Sequence, residues 1–156
     1  MGFLFRRIRK PIWAYIAKEI NRVIGVYHLK SHILSGQYTD DFRERIVKRY
    51  CDTNMTFIWE QFKECSHYQN SDAWSKIGDY VKENNCIMFF NKCDDEHAFL
   101  IANGVELQTI LGESFGFEFY ITDRDQSYVI CFNHHDVLYG CGAAREWVEE
   151  LAKFKS

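Results

Sequence analysis

The first half of the chain carries apolar residues at the spacing of helices that bury one face. Pro11 suits the first turn of a helix, because its missing N–H would have no partner there, and the apolar residues after it predict a helix over about residues 11–30. The same spacing predicts three further helices, each behind a side chain that can cap a helix. The candidate caps are Thr39 or Asp41, Thr53 or Asn54, and Ser71. We therefore predict a mainly helical part over residues 1–84.

The second half changes to short apolar or alternating runs, which are typical of strands. Residues 86–91 and 98–102 flank a charged loop and predict a first hairpin. Residues 117–123 and 127–133 flank a short turn and predict a second hairpin. Between the hairpins, helical spacing behind Asn103 predicts a short helix.

This order of elements is typical of an α+β fold, and we predict a single domain over residues 1–156. Residues 85–156 form its hairpin-helix-hairpin-helix part, which ends in a predicted helix over residues 143–154. We expect a small antiparallel sheet of about four strands, with the N-terminal helices and the C-terminal helix packed mainly on one face. With 47% hydrophobic residues, a chain of this length can hold a sizeable core.

The cysteines are expected to be free thiols. There are six of them, none in a CxxC pair, and several lie inside apolar runs. Buried free thiols are typical of a reducing compartment. No secretion signal and no run of 18 apolar residues is visible. We therefore expect a cytoplasmic protein without a membrane span.

Charge is distributed unevenly along the chain. Residues 1–50 hold 11 of the 19 Lys and Arg residues but only 4 of the 22 Asp and Glu residues. The basic residues 1–50 and the acidic residues 51–156 could neutralise each other, or the acidic part could present a face to a basic partner. The acidic balance argues against direct binding of nucleic acid. The basic residues 6–10 are left as a possible contact arm.

Acidic side chains gather in and beside the two hairpin loops, where they could also be simple turn residues. If they form an anionic surface, they would steer a basic protein towards it. The predicted partner-binding residues are Asp94, Asp95, Glu96, Glu118, Asp123, Asp125 and Asp136.

The stretch CFNHHDVLYGCG over residues 131–142 concentrates groups that can do chemistry. Imidazole titrates near neutral pH and a thiolate is a good nucleophile, so a catalytic or metal site is one interpretation. Its residues would be Cys131, His134, His135, Asp136 and Cys141. The other interpretations are a polar turn, in which Asn133 and Asp136 cap the backbone, and a loop that contacts a partner. The spacing matches no common zinc motif and no phosphate-binding loop is visible, so no cofactor is expected.

Residues 117–142, FEFYITDRDQSYVICFNHHDVLYGCG, resemble the end of small bacterial α+β proteins similar to the immunity proteins of contact-dependent growth inhibition and other polymorphic toxins. The resemblance implies a cytoplasmic inhibitor that is not an enzyme. It would bind a cognate toxin domain, such as a basic nuclease, and occlude its active site. The alternative is a small metal-dependent or cysteine-based enzyme centred on the Asn-His-His-Asp corner.

Overall fold

The computed structural model describes residues 15–52 and 57–154, which form an antiparallel sheet with helices on both faces. Its seven strands are β1 (His32–Ile33), β2 (Ser66–Gln69), β3 (Cys86–Phe89), β4 (Phe99–Ile101), β5 (Phe119–Thr122), β6 (Tyr128–Phe132) and β7 (Val137–Gly142). They lie in the order β1-β4-β3-β5-β6-β7-β2, and every neighbouring pair is antiparallel. The α+β class is therefore confirmed.

Five α-helices and two short 3₁₀ turns occupy the described part of the chain. The helices are α1 (Ile16–Tyr27), α2 (Gly36–Tyr50), α3 (Ile77–Val81), α4 (Gly104–Glu113) and α5 (Arg145–Lys153). The 3₁₀ turns are Ile58–Gln61 and Ala73–Lys76.

The predicted helix starts agree only in part with the observed helices. Asn103 caps α4 as expected, because its Oδ1 accepts a hydrogen bond from the backbone N–H of Glu106 at 2.9 Å. The helix expected behind Thr53 or Asn54 is represented, in the described residues, by the single turn Ile58–Gln61. Both of those caps lie outside the described residues, as do Pro11 and the basic residues 6–10.

The core is divided between the two faces of the sheet. The larger cluster joins α1, α3, α4 and α5 to one face, and the smaller one joins α2 and Ile58 to the other. Four of the five described helices therefore share a face, but α2 covers the second face, which was not expected. Strands β3, β5 and β6 are buried at every position. Their continuous apolar sequences follow from this burial on both sides.

All four predicted strands are present, and three further strands were not predicted. Strand β1 has only two residues, and β2 is a polar edge strand with alternating partial exposure. Strand β7 contains two glycines that look like chain breakers in the sequence. A Cβ on Gly140 would lie 2.5 Å from Cγ2 of Val148 and 2.7 Å from the carbonyl oxygen of Ala144. The glycine thus lets α5 approach the strand, and it does not end the strand.

The prediction of six free thiols is wrong for two of the cysteines. Cys65 and Cys141 form a disulfide, with their Cα atoms 4.5 Å apart. Ser66 pairs with Gly140, so the same register places Cys65, directly before β2, opposite Cys141 on β7. The other four cysteines are not in disulfides, and three of them are buried. No helix among residues 15–52 and 57–154 has the length and apolar content needed to span a membrane.

Candidate functional site

The strand register places the predicted acidic residues at two opposite ends of the sheet. The β3–β4 connection, the chain just before β5 and the β6–β7 turn all lie at one end, here called the loop end. The β5–β6 turn lies at the other end. The loop end carries Asp94, Asp95, Glu96, Glu118 and Asp136, whereas Asp123 and Asp125 lie at the opposite end. The seven residues therefore do not form one surface.

Asp95 uses its carboxylate inside the molecule. The residue is 8% exposed, and the carboxylate accepts hydrogen bonds from the N–H of Ala17 at 2.9 Å and from the N–H and Nδ1 of His97 at 2.8 and 2.6 Å. Burial by itself raises the pKa of Asp95, but the hydrogen bonds from His97 and Ala17 lower it overall. Ala17 lies in the first turn of α1, so Asp95 caps that helix from a distant loop. This finding corrects the expectation that Asp95 faces a partner.

The backbone beside Asp95 is fixed by a buried arginine. The guanidinium of Arg43, on α2, donates to the carbonyl oxygen of Phe90 at 2.9 Å and to that of Asp95 at 2.8 Å. Burial lowers the pKa of Arg43, although nearby Asp40, Glu96 and Asp95 act in the opposite direction. Arg43 thus ties α2 to the β3–β4 connection at the loop end.

Glu118 is the centre of a second buried polar network. The residue is 5% exposed, and its Oε1 accepts from the N–H and Nδ1 of His134, both at 2.9 Å. Its Oε2 accepts from Nε1 of Trp59 at 2.8 Å and from Nδ2 of Asn91. An ionised carboxylate offers about four lone-pair positions, and these four donors fill them. Glu118 is therefore not available to a partner, which corrects its predicted role.

Asn91 and Tyr120 extend this network to the backbone of the 3₁₀ turn. The hydroxyl of Tyr120 donates to Oδ1 of Asn91 at 2.6 Å and accepts from the N–H of Trp59 at 3.1 Å. Oδ1 of Asn91 also accepts from the N–H of Ile58 at 3.1 Å. Burial, together with nearby Cys131 and Glu118, raises the pKa of Tyr120 well above its usual range, so the phenol stays protonated and can donate.

The Asn-His-His-Asp corner is a tight turn, as one interpretation predicted. Oδ1 of Asn133 accepts from the N–H of His135 at 3.0 Å and from that of Val137 at 3.1 Å. Asp136 adopts a left-handed conformation with φ of 61°, and its carbonyl oxygen accepts a hydrogen bond from the N–H of Asn70. The amide of Asn133 therefore caps this turn, whereas Asp136 shapes it through its backbone.

Aromatic rings gather on the α2 face of the sheet, beside this turn, where Phe57 stacks on Trp59 at 6.0 Å and contacts His134 at 6.1 Å. We call Trp59, His134, His135 and Tyr139 the ring cluster. Trp59 stacks on Tyr139 with centroids 6.0 Å apart, and it meets His134 and His135 edge-on at 5.8 and 5.9 Å. The two imidazole centroids are 4.0 Å apart. Both histidines are exposed, and the two larger rings are partly buried.

The five residues of the alternative enzyme site are not brought together. Cys131 is fully buried, and burial, followed by the nearby Glu118, raises the pKa of its thiol well above the usual range. Cys141 is also fully buried and is bonded to Cys65, so it offers no accessible thiol to a substrate. Within the part of the chain that the structure describes, no three His, Cys, Asp or Glu side chains are arranged to hold a metal ion. Of the five, His134 and His135 remain together at the surface.

The acidic residues at the opposite end have mixed roles. The carboxylate of Asp123 accepts from the N–H and the hydroxyl of Ser127, so it stabilises the β5–β6 turn. Asp125 is exposed, and its carbonyl oxygen accepts from Arg49 at 3.2 Å. These two residues flank a cleft of about 560 Å³ that also contains Glu83.

Sequence reasoning missed Trp59, Asn91 and His97 as site residues. Phe89 pairs with Tyr120, so continuing that register by two residues places Asn91 opposite Glu118 on the α2 face. Polar residues at the ends of two apolar strands were therefore a usable signal, but the pairing of β3 with β5 had to be known first. The position of Trp59 depends on a 3₁₀ turn that the sequence pattern did not predict.

A family model spans residues 12–152 of the chain. The chain belongs to DUF6756, a family of unknown function. No curated protein and no solved structure matches the chain. In this DUF6756 protein, the features that bear on function are the two polar networks and the acidic residues at the loop end.

Proposed function

We propose that this DUF6756 protein is an immunity-type inhibitor that binds a basic toxin domain, in the first instance a nuclease, and covers its active site. The observation that carries the proposal is the grouping of Asp94, Glu96 and Asp136 at the loop end. Glu96 is exposed and the other two are partly exposed. Strands β3 and β6, which lead into these loops, are two strand spacings apart, or roughly 10 Å. That separation fits within the footprint of a protein interface.

The proposed acidic surface contains fewer residues than the seven predicted from the sequence. The carboxylates of Asp95 and Glu118 are used internally, and Asp123 stabilises a turn at the other end. Asp94, Glu96 and Asp136 stay at least partly exposed, although Oδ2 of Asp94 also accepts from Nδ2 of Asn91 at 3.3 Å. These three acids would act mainly by steering association, because charges at a solvated rim change the association rate more than the lifetime of the complex. Under this proposal the protein works in the cytoplasm, where the Cys65–Cys141 pair would be kept reduced.

Co-expression tests the proposal. The toxin would be the C-terminal domain of a secreted protein encoded directly upstream of this gene in its native genome. We expect that domain to arrest growth when expressed alone, and this chain to restore growth and to copurify with the domain. A toxic domain that this chain neither binds nor neutralises would overturn the proposal, and so would an upstream gene that encodes no toxic domain.

Charge reversal at the two ends of the sheet tests the proposed surface. D94K/E96K reverses two acids at the loop end, and D125K/E83K makes the same change in charge at the opposite end, where both residues line one cleft. We expect the loop-end variant to slow association by about tenfold or more at low salt, with a weaker salt dependence, and the control to have a much smaller effect. Equal slowing by both variants would remove the loop end from the interface.

The Glu118–His134 hydrogen bond supports one alternative function. A buried carboxylate that accepts from Nδ1 of a histidine leaves Nε2 for a metal ion or for proton transfer, so a small metal-dependent enzyme centred on His134 is the second candidate. Metal analysis of the purified protein separates the two proposals. Stoichiometric metal that is lost in H134A would favour the enzyme, whereas equal trace levels in H134A and the parent protein would count against it.

A further inference from the structure

The ring cluster lies over a buried negative charge. The carboxylate of Glu118 accepts hydrogen bonds from both Trp59 and His134, and among the described residues no Lys or Arg side chain lies within ion-pair distance of it. Its charge is therefore balanced by neutral donors and by the imidazole alone. Because a buried charge is weakly screened, the negative potential extends through the rings to the surface.

Two further acids lie at the rim of the ring cluster. Glu60 is exposed on the 3₁₀ turn next to Trp59, and Asp136 follows His135. Burial is the main cause of the raised pKa of Tyr139, and the nearby carboxylates of Glu118 and Glu60 add to it, so both carboxylates act on this ring. A positively charged group that approached the cluster would meet aromatic faces with carboxylates on either side.

The tautomer of His134 is fixed by its partner. An ionised carboxylate can only accept, so Nδ1 of His134 must carry the proton that is shared with Glu118. In the neutral ring, Nε2 on the far side is then an acceptor. The exposed edge of the cluster thus offers a nitrogen acceptor beside the exposed ring of His135, whose centroid is 4.0 Å from that of His134, while Trp59 meets both imidazoles and itself stacks on Phe57 and Tyr139.

This combination suits a guanidinium group better than an ammonium group. Guanidinium is planar, stacks on aromatic rings and donates hydrogen bonds in the plane at several angles, whereas ammonium is a compact and strongly hydrated charge. A stacked guanidinium could donate to Nε2 of His134 or to the carboxylate of Glu60 or Asp136. Aromatic residues and arginine are also the pair most enriched at the centres of protein interfaces.

We propose that the ring cluster is the anchor of the interface and binds an arginine side chain of the partner, and this inference rests on the proposed function. Glu118 holds Trp59 and His134 in place before binding, so little side-chain entropy is lost when the arginine stacks. The loop-end acids attract the basic partner, and the ring cluster then fixes its position. Arginine is the residue type by which a nuclease commonly contacts phosphate, so covering it would also block the substrate.

The inference can be tested without the partner. The probe is a tripeptide with blocked ends, Gly-Arg-Gly, titrated into the isotope-labelled full chain while the indole N–H signal of Trp59, assigned with W59F, is followed by NMR. Gly-citrulline-Gly has nearly the same shape without the charge, and Gly-Lys-Gly has the charge without the plane. We expect saturable shifts of the Trp59 signal and of the imidazole signals with the arginine peptide, weaker shifts with lysine and none with citrulline.

H135A is the variant that tests the ring contact alone. The ring of His135 meets Trp59 at the surface, and the hydrogen bonds to Glu118 come from His134 and not from His135. We expect H135A to weaken arginine binding by about fivefold, the ratio that corresponds to roughly 1 kcal/mol of ring contact. H67A is the control, since His67 contacts Tyr139 but is no member of the cluster. Equal binding of the citrulline peptide, or shifts confined to Asp94 and Glu96, would overturn the inference.

The two proposals can fail separately. If the toxin domain is neutralised and its association depends on Asp94 and Glu96, but the arginine peptide leaves Trp59 unchanged, the anchor is wrong and the inhibitor proposal stands. If the peptide binds the ring cluster but no toxin domain is neutralised, the arginine site stands and the inhibitor proposal is wrong.

Discussion

Two histidine–carboxylate pairs lie at the same end of the sheet and differ in what they connect. In the Asp95–His97 pair both partners belong to one loop, two residues apart, and the carboxylate also caps α1. In the Glu118–His134 pair the partners come from two connections, 16 residues apart, and the carboxylate also holds Trp59 and Asn91. The same contact thus completes a helix cap in one place and arranges a ring surface in the other. A histidine–carboxylate pair is informative about function only when its other neighbours are known.

The largest expected effect comes from E118A. Removal of this carboxylate leaves the indole N–H of Trp59, the amide of Asn91 and the backbone N–H of His134 without their buried acceptor. Each orphaned donor costs about 1–3 kcal/mol, so we expect the free energy of unfolding to fall by about 4 kcal/mol. Urea unfolding measures this, with the exposed E60A as control. A loss below about 1 kcal/mol would mean that water replaces the carboxylate and that the network is not buried as described.

A smaller loss is expected from D95A, at a different place in the molecule. The substitution removes the cap of α1 and the acceptor of two His97 donors, and we expect a loss of about 2 kcal/mol. Hydrogen exchange should show faster exchange at the amide of Ala17 in D95A but not in E118A, because only Asp95 accepts from that amide. If E118A opened α1 equally, the two pairs would belong to a single cooperative network and the comparison would fail.

The two histidines should differ more in binding than in stability. Their side chains are 52% and 39% exposed for His97 and His134, so each substitution to Ala should cost about 1 kcal/mol or less. In the peptide titration, however, H134A should abolish the response of Trp59, whereas H97A should leave it unchanged. Thermal unfolding measured on the same samples checks that both variants remain folded. A loss of peptide binding in H97A would show that arginine is bound at the other pair.

The sequence predicted the strands of the sheet centre better than its edges. Strands β3, β4, β5 and β6 are apolar runs long enough to be recognised, whereas β1 and β2 are short or polar and are specified by their partners. Strand β7 was not predicted, and its Gly140 is explained by the close approach of α5, which is a tertiary contact. Local propensity cannot report such a contact.

The candidate site could be predicted only in part. Asn133 was recognised as a turn residue because its amide acts within four residues of its own position. Glu118 was counted as a surface acid, because an alternating strand sequence does not show which face is covered, and here the 3₁₀ turn that carries Trp59 covers it. The Cys65–Cys141 pairing joins residues 76 positions apart and depends on the register of β2 with β7.

The smallest expected effect is a difference in acid sensitivity that belongs to the Asp95–His97 pair. Hydrogen bonds lower the pKa of Asp95 below its ordinary value of 3.8 in the folded protein, against the effect of burial. A carboxyl group with a lowered pKa in the folded protein contributes stability at pH values above its unfolded pKa, and that contribution is lost as the pH falls through the folded pKa.

The variant D95N lacks this titration. Its deficit in unfolding free energy relative to the parent protein should therefore be largest near neutral pH and should shrink below about pH 4. Unfolding curves of the parent protein and D95N between about pH 7 and pH 2 measure the deficit. A deficit that stays constant over this range would show that Asp95 acts through its shape and not through its charge, and the helix cap would then be worth no more with an ionised than with a protonated carboxyl group.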